Sequence, residues 1–323
     1  MSVSVVIPCF RSARTLPMLV TRLMPVLRAV SVLHEVILVV DGSPDGTWSA
    51  AADLAARIDG VRAIRLSRNY GQHNALLAGI REAKFDVVVT MDDDLQHPPE
   101  QIPLLLAALD GDGLDLVYGV PYAEEHGFLR SLASRSVKAG MAGALGIRAA
   151  RKISAFRAFR TRLRDGFDEL SGPHASLDVA LSWATTQVDA VHVHMNEREH
   201  GRSNYSLRLL VRHAVNMLLG YSTVPLRMAS YLGFLVGLIG LFLSGLVLWR
   251  FIAGDTTVAG FTTVATMVAL FSSAQLISIG VLGEYIGRIH GSGMGRPTYV
   301  VRERAGSSVA PEMSHRSGSA GVS

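Results

Sequence analysis

The sequence predicts an α/β fold: a parallel sheet covered by helices on both faces, followed by a two-helix transmembrane hairpin. Three observations predict it. Apolar, β-branched runs alternate with helix-length segments through the first hundred residues, which is the pattern of βαβ units. Three of those runs stop at Pro8, at Asp41-Gly42 and at Asp92-Asp-Asp94, and open α/β sheets bind ligands beyond such strand ends. Two long, nearly uncharged apolar runs occupy the last third.

Composition sets the outer bounds. The chain has 323 residues, room for about two domains. A net charge of +4 suits an anionic partner such as a phosphate or a membrane surface. No nucleic-acid-binding motif accompanies the basic residues, so no nucleic-acid partner is expected. The single cysteine, Cys9, excludes an intramolecular disulfide. Met1–Pro8 has no basic n-region and does not read as a signal peptide.

In chain order, Ser2–Ile7 is the first strand, closed by Pro8. Thr15-Leu-Pro17 opens a helix to about Ala29, because Pro is tolerated in a first turn. Glu35–Val40 is the second strand, and the turn from Asp41 to Thr47 caps the next helix. Val61–Leu66 is the third strand, and Gly71–Glu82 is a helix. The fourth strand begins at Val87 and ends at the acidic triplet Asp92, Asp93 and Asp94. Three acids repel one another unless a cation sits among them. Asp92, Asp94 and Gln96 are the expected ligands of Mg²⁺ or Mn²⁺, which take oxygen donors and leave positions for phosphate oxygens. The competing reading is a solvated acidic turn at a helix start. A Gly-rich phosphate loop of either common type is absent, which excludes the usual dinucleotide and P-loop enzymes.

Phe128 to Arg164 holds ten basic residues and no acid. Its apolar residues recur at helical spacing as far as Ile147, so it reads either as a basic helix on a membrane surface or as a helix packed on the domain. Val188–His194 alternates and reads as a half-buried strand. His192, His194 and His200 fit no zinc-ligand spacing. Ser206–Leu219 is amphipathic. Tyr231–Trp249 is long enough to span about 30 Å of hydrocarbon, and Thr263–Leu282 is a second such run. Arg208, Arg212 and Arg227 precede the first run and Arg288, Arg296, Arg302 and Arg304 follow the second. That bias puts both ends of the hairpin, and the α/β domain, in the cytoplasm.

Four stretches together carry a resemblance: Val5-Val-Ile-Pro8, Val39-Val-Asp41-Gly-Ser-Pro-Asp-Gly-Thr47, Arg68-Asn-Tyr-Gly-Gln-His73 and Asp92-Asp-Asp-Leu-Gln-His-Pro-Pro-Glu100. They resemble family-2 glycosyltransferases of the GT-A (Rossmann-like) fold, and within them the polyprenyl-phosphate branch of dolichyl-phosphate mannose synthases and bacterial undecaprenyl-phosphate sugar transferases. The likeness runs from about residue 3 to 303. It implies a nucleotide-sugar donor, a UDP-sugar, with Pro8, Phe10, Asp41 and Asp93 at the nucleotide. It implies Arg130, Ser134, Arg157, Arg198, Arg202 and Ser203 at the acceptor phosphate, the last three from a motif similar to the family's Arg-x-x-Gly-x-Ser-x-Tyr. Asp92, Asp94 and Arg198 are the implied catalytic residues.

Three departures touch these sites. Val40 stands where many relatives have an acid, Arg11-Ser12 where many have Asn-Glu, and the stretch Val117–Tyr122 lacks an Arg that some relatives use.

The expected organisation is a GT-A domain over 1–204, a juxtamembrane amphipathic helix over 205–229, two transmembrane helices over 230–287, and a cytoplasmic tail over 288–323, disordered after about 304. The expected setting is a multi-pass homo-oligomer in the bacterial inner membrane. The expected reaction is metal-dependent, inverting transfer of one sugar to undecaprenyl phosphate. The alternative is an inactive relative that only binds nucleotide-sugar or lipid phosphate. A processive synthase is disfavoured, because no Trp follows an Arg.

Overall fold

The computed structural model describes residues 1–111, 113–122, 153–167, 170, 176–196, 224–253, 260–295 and 297–306. Four strands build the centre: β1 (Val3–Cys9), β2 (His34–Val40), β3 (Val61–Leu66) and β4 (Val87–Thr90). They are almost wholly buried, which requires cover on both faces. Helices α1 (Thr15–Val30), α2 (Thr47–Arg57) and α3 (Gln72–Glu82) supply it. Leu16, Leu19 and Leu23 of α1 pack with Val3, Val5 and Ile7 on one face. Leu76, Leu77 and Ile80 of α3 pack with Val6, Ile37 and Val39 on the other.

β1 pairs in parallel with both β2 and β4, and β2 with β3. The chain therefore steps outward through β2 and β3, then returns to the other side of β1. That reversal is a switch point, where the two flanking loops diverge and open a crevice. The ends of β1 and β4 form it, so Phe10 and the acidic triplet face each other there.

The rest of the sheet departs from the all-parallel expectation. After a short 3₁₀ turn at Pro99–Gln101 come α4 (Ile102–Gly111), β5 (Leu116–Pro121), β6 (Arg157–Arg160), α5 (Leu177–Ala184) and β7 (Val188–Val193). β6 lies antiparallel between β4 and β5, while β7 runs parallel to β5. Residues expected in the tail form β8 (Val301–Ala305), antiparallel to β3. The full order is β7-β5-β6-β4-β1-β2-β3-β8. The reason lies in the residues: Tyr299-Val-Val301 supplies β-branched and aromatic side chains, and Arg302-Glu-Arg304 alternates them with charge.

The described residues divide into two compact units. The second contains α6 (Val224–Ile252) and α7 (Phe261–Gly293). Helix α7 thus runs past the expected boundary at residue 287. The two helices touch where Gly240 admits Phe271; a Cβ on Gly240 would lie 2.5 Å from the Phe271 ring. Among the described helices, α6 alone carries a stretch, Leu226–Leu243, apolar and long enough to cross a membrane, with mean hydropathy 1.8 and none of it buried. At 29 residues the helix is about 43 Å long. The amphipathic segments expected at 128–147 and 206–219 lie outside the described residues.

Gly79 sets how closely α3 approaches the sheet. A Cβ there would lie 2.4 Å from Val6 Cγ1 and 2.9 Å from Val39 Cγ2. Gly79→Ala is therefore expected to destabilise the sheet unit by about 1–3 kcal/mol, the range for overpacking. The thermal midpoint of the solubilised chain measures this, and an unchanged midpoint would contradict so close an approach.

Candidate active site

The acidic loop follows β4 directly, and each acid is engaged by a different part of the fold. The Gln72 side-chain amide, at the start of α3, donates to Asp92 Oδ1 at 2.7 Å. The Phe10 amide, at the end of β1, donates to Asp93 Oδ2 at 3.1 Å. The Gln96 amide donates to Asp94 Oδ1 at 3.1 Å. Between the last two, Leu95 holds a left-handed φ of 64°, a conformation that costs a side-chain-bearing residue about 1–3 kcal/mol. Asn196, just after β7, fastens this turn: its amide donates to the Gln96 carbonyl at 2.9 Å and its side chain to the Leu95 carbonyl at 3.2 Å.

Pro8, Phe10, Asp41, Asp92, Asp93 and Asp94 line one cavity of about 310 Å³, together with Cys9, Asn69, Gly71 and Gln72. All six were expected in this pocket. Gln96, expected on the metal, is not among the lining residues. Asp41 is 3% exposed and shapes the opposite wall. Its two oxygens accept from the Tyr70 and Gly71 amides, each at 2.7 Å, yet burial still raises its pKa. Gly42, at φ 57°, leaves no room for a Cβ, which would fall 2.1 Å from the Arg68 carbonyl carbon. Arg11, in the position where relatives often have Asn, also adopts a left-handed φ of 58°; Asn tolerates that region better than Arg.

Arg157 was expected at the acceptor phosphate. The structure gives it an internal partner instead. It is 2% exposed, its guanidinium donates to Asp178 in the first turn of α5, and it stands 5.7 Å from the centroid of the Tyr118 ring. A buried charge needs such a partner, and β6 sits in mid-sheet, where solvent does not reach. Beside it, His97 stacks on Phe156 with centroids 5.3 Å apart. Gly119 makes space for that Phe; a Cβ there would lie 2.7 Å from its ring. Arg130, Ser134, Arg198, Arg202 and Ser203 lie outside the described residues, as does His200.

Sequence reasoning missed Gln72, Asn196 and the Arg157–Asp178 pair. Gln72 lay inside a quoted motif without a role. Asn196 carried no local signal, because its partners stand a hundred residues away.

The loop offers the carboxylates of Asp92 and Asp94 to the cavity, with Asp93 beside them accepting from the Phe10 amide. Among the described residues no three His, Cys, Asp or Glu side chains converge into a ready cage. That combination fits a hard divalent ion that takes one or two protein carboxylates and fills the rest of its shell with water and substrate phosphate.

Comparison with known proteins agrees with this architecture. Glucosyl-3-phosphoglycerate synthase from Mycobacterium tuberculosis, in complex with Mn²⁺ and UDP-glucose, superposes with TM-score 0.50 at 19% identity over 68% of this chain and 77% of that one. Its complex with Mn²⁺, UDP and glucosyl-3-phosphoglycerate gives 0.51 at 21% identity, covering 68% and 80%. The fold is thus that of a GT-A glycosyltransferase. Residues 4–163 match glycosyl transferase family 2. The undecaprenyl-phosphate 4-deoxy-4-formamido-L-arabinose transferase of Aeromonas hydrophila subsp. hydrophila is 34% identical over 316 residues, 96% of this chain and 95% of that protein. Its counterpart in Proteus mirabilis is 33% identical over 307 residues, 94% of each. The chain belongs to glycosyl transferase family 2, in the branch of the undecaprenyl-phosphate sugar transferases.

Two groups near the loop, the half-buried Asp93 and the buried His97, titrate in opposite senses. Burial foremost, with the charges of Asp92 and Asp94 adding, pushes Asp93 up from 3.8 to about 6. Burial foremost, with Arg157 adding, pulls His97 down from 6.5 to about 4. The native state holds the Asp93 proton more tightly, so that contribution is present below about pH 4 and lost as pH rises through 6. The His97 contribution is present above about pH 6.5 and lost as pH falls towards 4. Between pH 4 and 6 the two slopes offset each other. Asp93→Asn removes the first, so the metal-free variant should gain stability relative to wild type as pH rises, by up to about 3 kcal/mol at pH 7. Thermal midpoints in chelator across pH 4–7 measure this; parallel profiles would contradict it.

Proposed function

We propose that this chain transfers one sugar from a UDP-sugar to undecaprenyl phosphate at the cytoplasmic face of the bacterial inner membrane. One observation carries the reading: an acidic loop opening on a cavity at the switch point, in a chain aligned nearly end to end with named undecaprenyl-phosphate sugar transferases. The names of those relatives also support a formamido-arabinose donor as the first to try.

The residues divide the work. Phe10, Pro8 and Asp41 line the wall for the nucleoside, and Asp93 holds the Phe10 backbone in place. Asp92 and Asp94, with Gln96, would hold Mg²⁺ or Mn²⁺, and the bound ion would supply charge neutralisation at the leaving diphosphate. The acceptor is a phosphate monoester with a second pKa of about 6, already a competent oxygen nucleophile near neutrality. No general base is needed, and the pairing of Asp178 with Arg157 fits that reading, since its carboxylate is committed to a guanidinium. Arg130, Ser134, Arg198, Arg202 and Ser203 orient the phosphate for in-line attack, the kind of positioning that lowers a barrier substantially. Attack from the face opposite the leaving group inverts the anomeric centre. Helices α6 and α7 are read as the two spans of a multi-pass homo-oligomer, with the Arg-rich flanks cytoplasmic.

The test is to incubate membranes carrying the chain with labelled nucleotide-sugars, UDP-4-deoxy-4-formamido-L-arabinose among them, and undecaprenyl phosphate. Label is expected in the organic extract, only with Mg²⁺ or Mn²⁺, and with inverted configuration. Asp94→Ala should lower the rate at least about a hundredfold, as loss of several kcal/mol of charge stabilisation requires. Transfer that survives chelation, or a retained anomer, would overturn the mechanism. Absence of label with every UDP-sugar, alongside label with another base, would overturn the donor.

A further inference from the structure

Without β8, strand β3 is a sheet edge, and an edge presents a row of unpaired backbone groups. β8 closes it, pairing Ala63 with Ala305, Ile64 with Arg304, Arg65 with Glu303 and Leu66 with Val301. The partners are remote in sequence; Arg65 and Glu303 are 238 residues apart. Two ion pairs fix the register. Arg65 meets Glu303 at 3.1 Å and Arg304 meets Glu82 at 2.8 Å. Glu82 also meets Arg62 at 3.5 Å, and Arg62 in turn bonds the buried Glu35 at 3.0 Å. Arg304 therefore joins a charge network that runs into the sheet, not an isolated surface pair.

The hydrogen bond just beyond β8 is the informative one. The Ser67 amide donates to the Val300 carbonyl at 2.9 Å. Ser67 opens the short loop that walls the cavity, to which Asn69 and Gly71 contribute. Its hydroxyl lies 2.9 Å from that of Tyr70, and the Tyr70 and Gly71 amides are those that Asp41 accepts. Gln72, the next residue, reaches Asp92. The loop is thus anchored by Asp41 and Gln72 at one end and by Val300 at the other. Removing the second anchor leaves three residues, Ser67 to Asn69, with fewer constraints on the cavity side.

We infer that the strand following the hairpin is a positioning element of the donor pocket: Val300, Glu303 and Arg304 hold loop 67–71 in its binding shape through Ser67 and Tyr70. The inference rests on the reading of this cavity as the nucleotide site. These residues do not line the cavity themselves, so their effect falls on nucleotide affinity and on loop order together.

The test uses the full chain in detergent, with Glu303→Lys combined with Arg304→Glu to oppose Arg65 and Glu82, and Arg304→Lys as the conservative control. Amide exchange is followed by mass spectrometry, and binding of UDP with Mn²⁺ by calorimetry. The double variant is expected to exchange about tenfold faster or more over 67–71 and to bind UDP about fivefold more weakly, with β1 and β2 unchanged. Arg304→Lys should stay near wild type in both. Faster exchange over β8 with none over 67–71 overturns the inference, as does acceleration spread equally over β1 and β2, which marks a general stabiliser. Faster exchange over 67–71 with unchanged UDP affinity also overturns the inference, whereas UDP that fails to bind even the wild-type chain overturns the donor reading of the cavity.

Discussion

Three carboxylates share the turn after β4, and their mutual repulsion is the constraint on which the rest depends. Like charges a few ångströms apart in a half-buried setting repel far more strongly than in water. Donors reach these acids from β1, from α3 and from the turn itself. Those bonds draw the ends of β1 and β4 and the start of α3 to one point. The turn that makes this possible is strained at Leu95 and tied from β7 by Asn196. Burial foremost, with the charges of Asp92 and Asp94 adding, still leaves the Asp93 carboxyl near 6. In the function proposed above, a cation would offset that charge and a diphosphate would complete the cation's shell.

Arg157, the arginine at the start of β6, is committed inside the sheet. Arg157 is buried in an ion pair with Asp178, and the Tyr118 hydroxyl lies 3.4 Å from the same carboxylate. Burial keeps that phenol protonated. Asp178 therefore has a settled partner. A reaction whose nucleophile is already ionised suits such a site.

The parts legible in the sequence are those governed by local pattern. The runs at Val36 and Val87 announce buried strands because they are apolar on both faces, those at Val3 and Val61 because apolar residues dominate them, and Pro8, Asp41 and the acidic triplet declare strand ends. The cavity residues follow, since parallel strands bring their ends together. Pairing between distant segments was not legible. Nothing local says that Arg157 enters the sheet antiparallel, or that its charge meets Asp178 21 residues later. Read alone it resembles the many surface arginines around it. β8 was hidden for a related reason: Arg302-Glu-Arg304 reads as a charged tail until Arg65 and Glu82 stand opposite it.

The central claim is that the loop holds a divalent cation jointly with a diphosphate and not as a closed protein site. Electron paramagnetic resonance of Mn²⁺ titrated into the full chain tests this most directly. Weak binding by the protein alone, tightened at least about tenfold by UDP, is the result expected from two carboxylates and an otherwise open shell. Tight Mn²⁺ binding without nucleotide, or an affinity that UDP leaves unaltered, would contradict it.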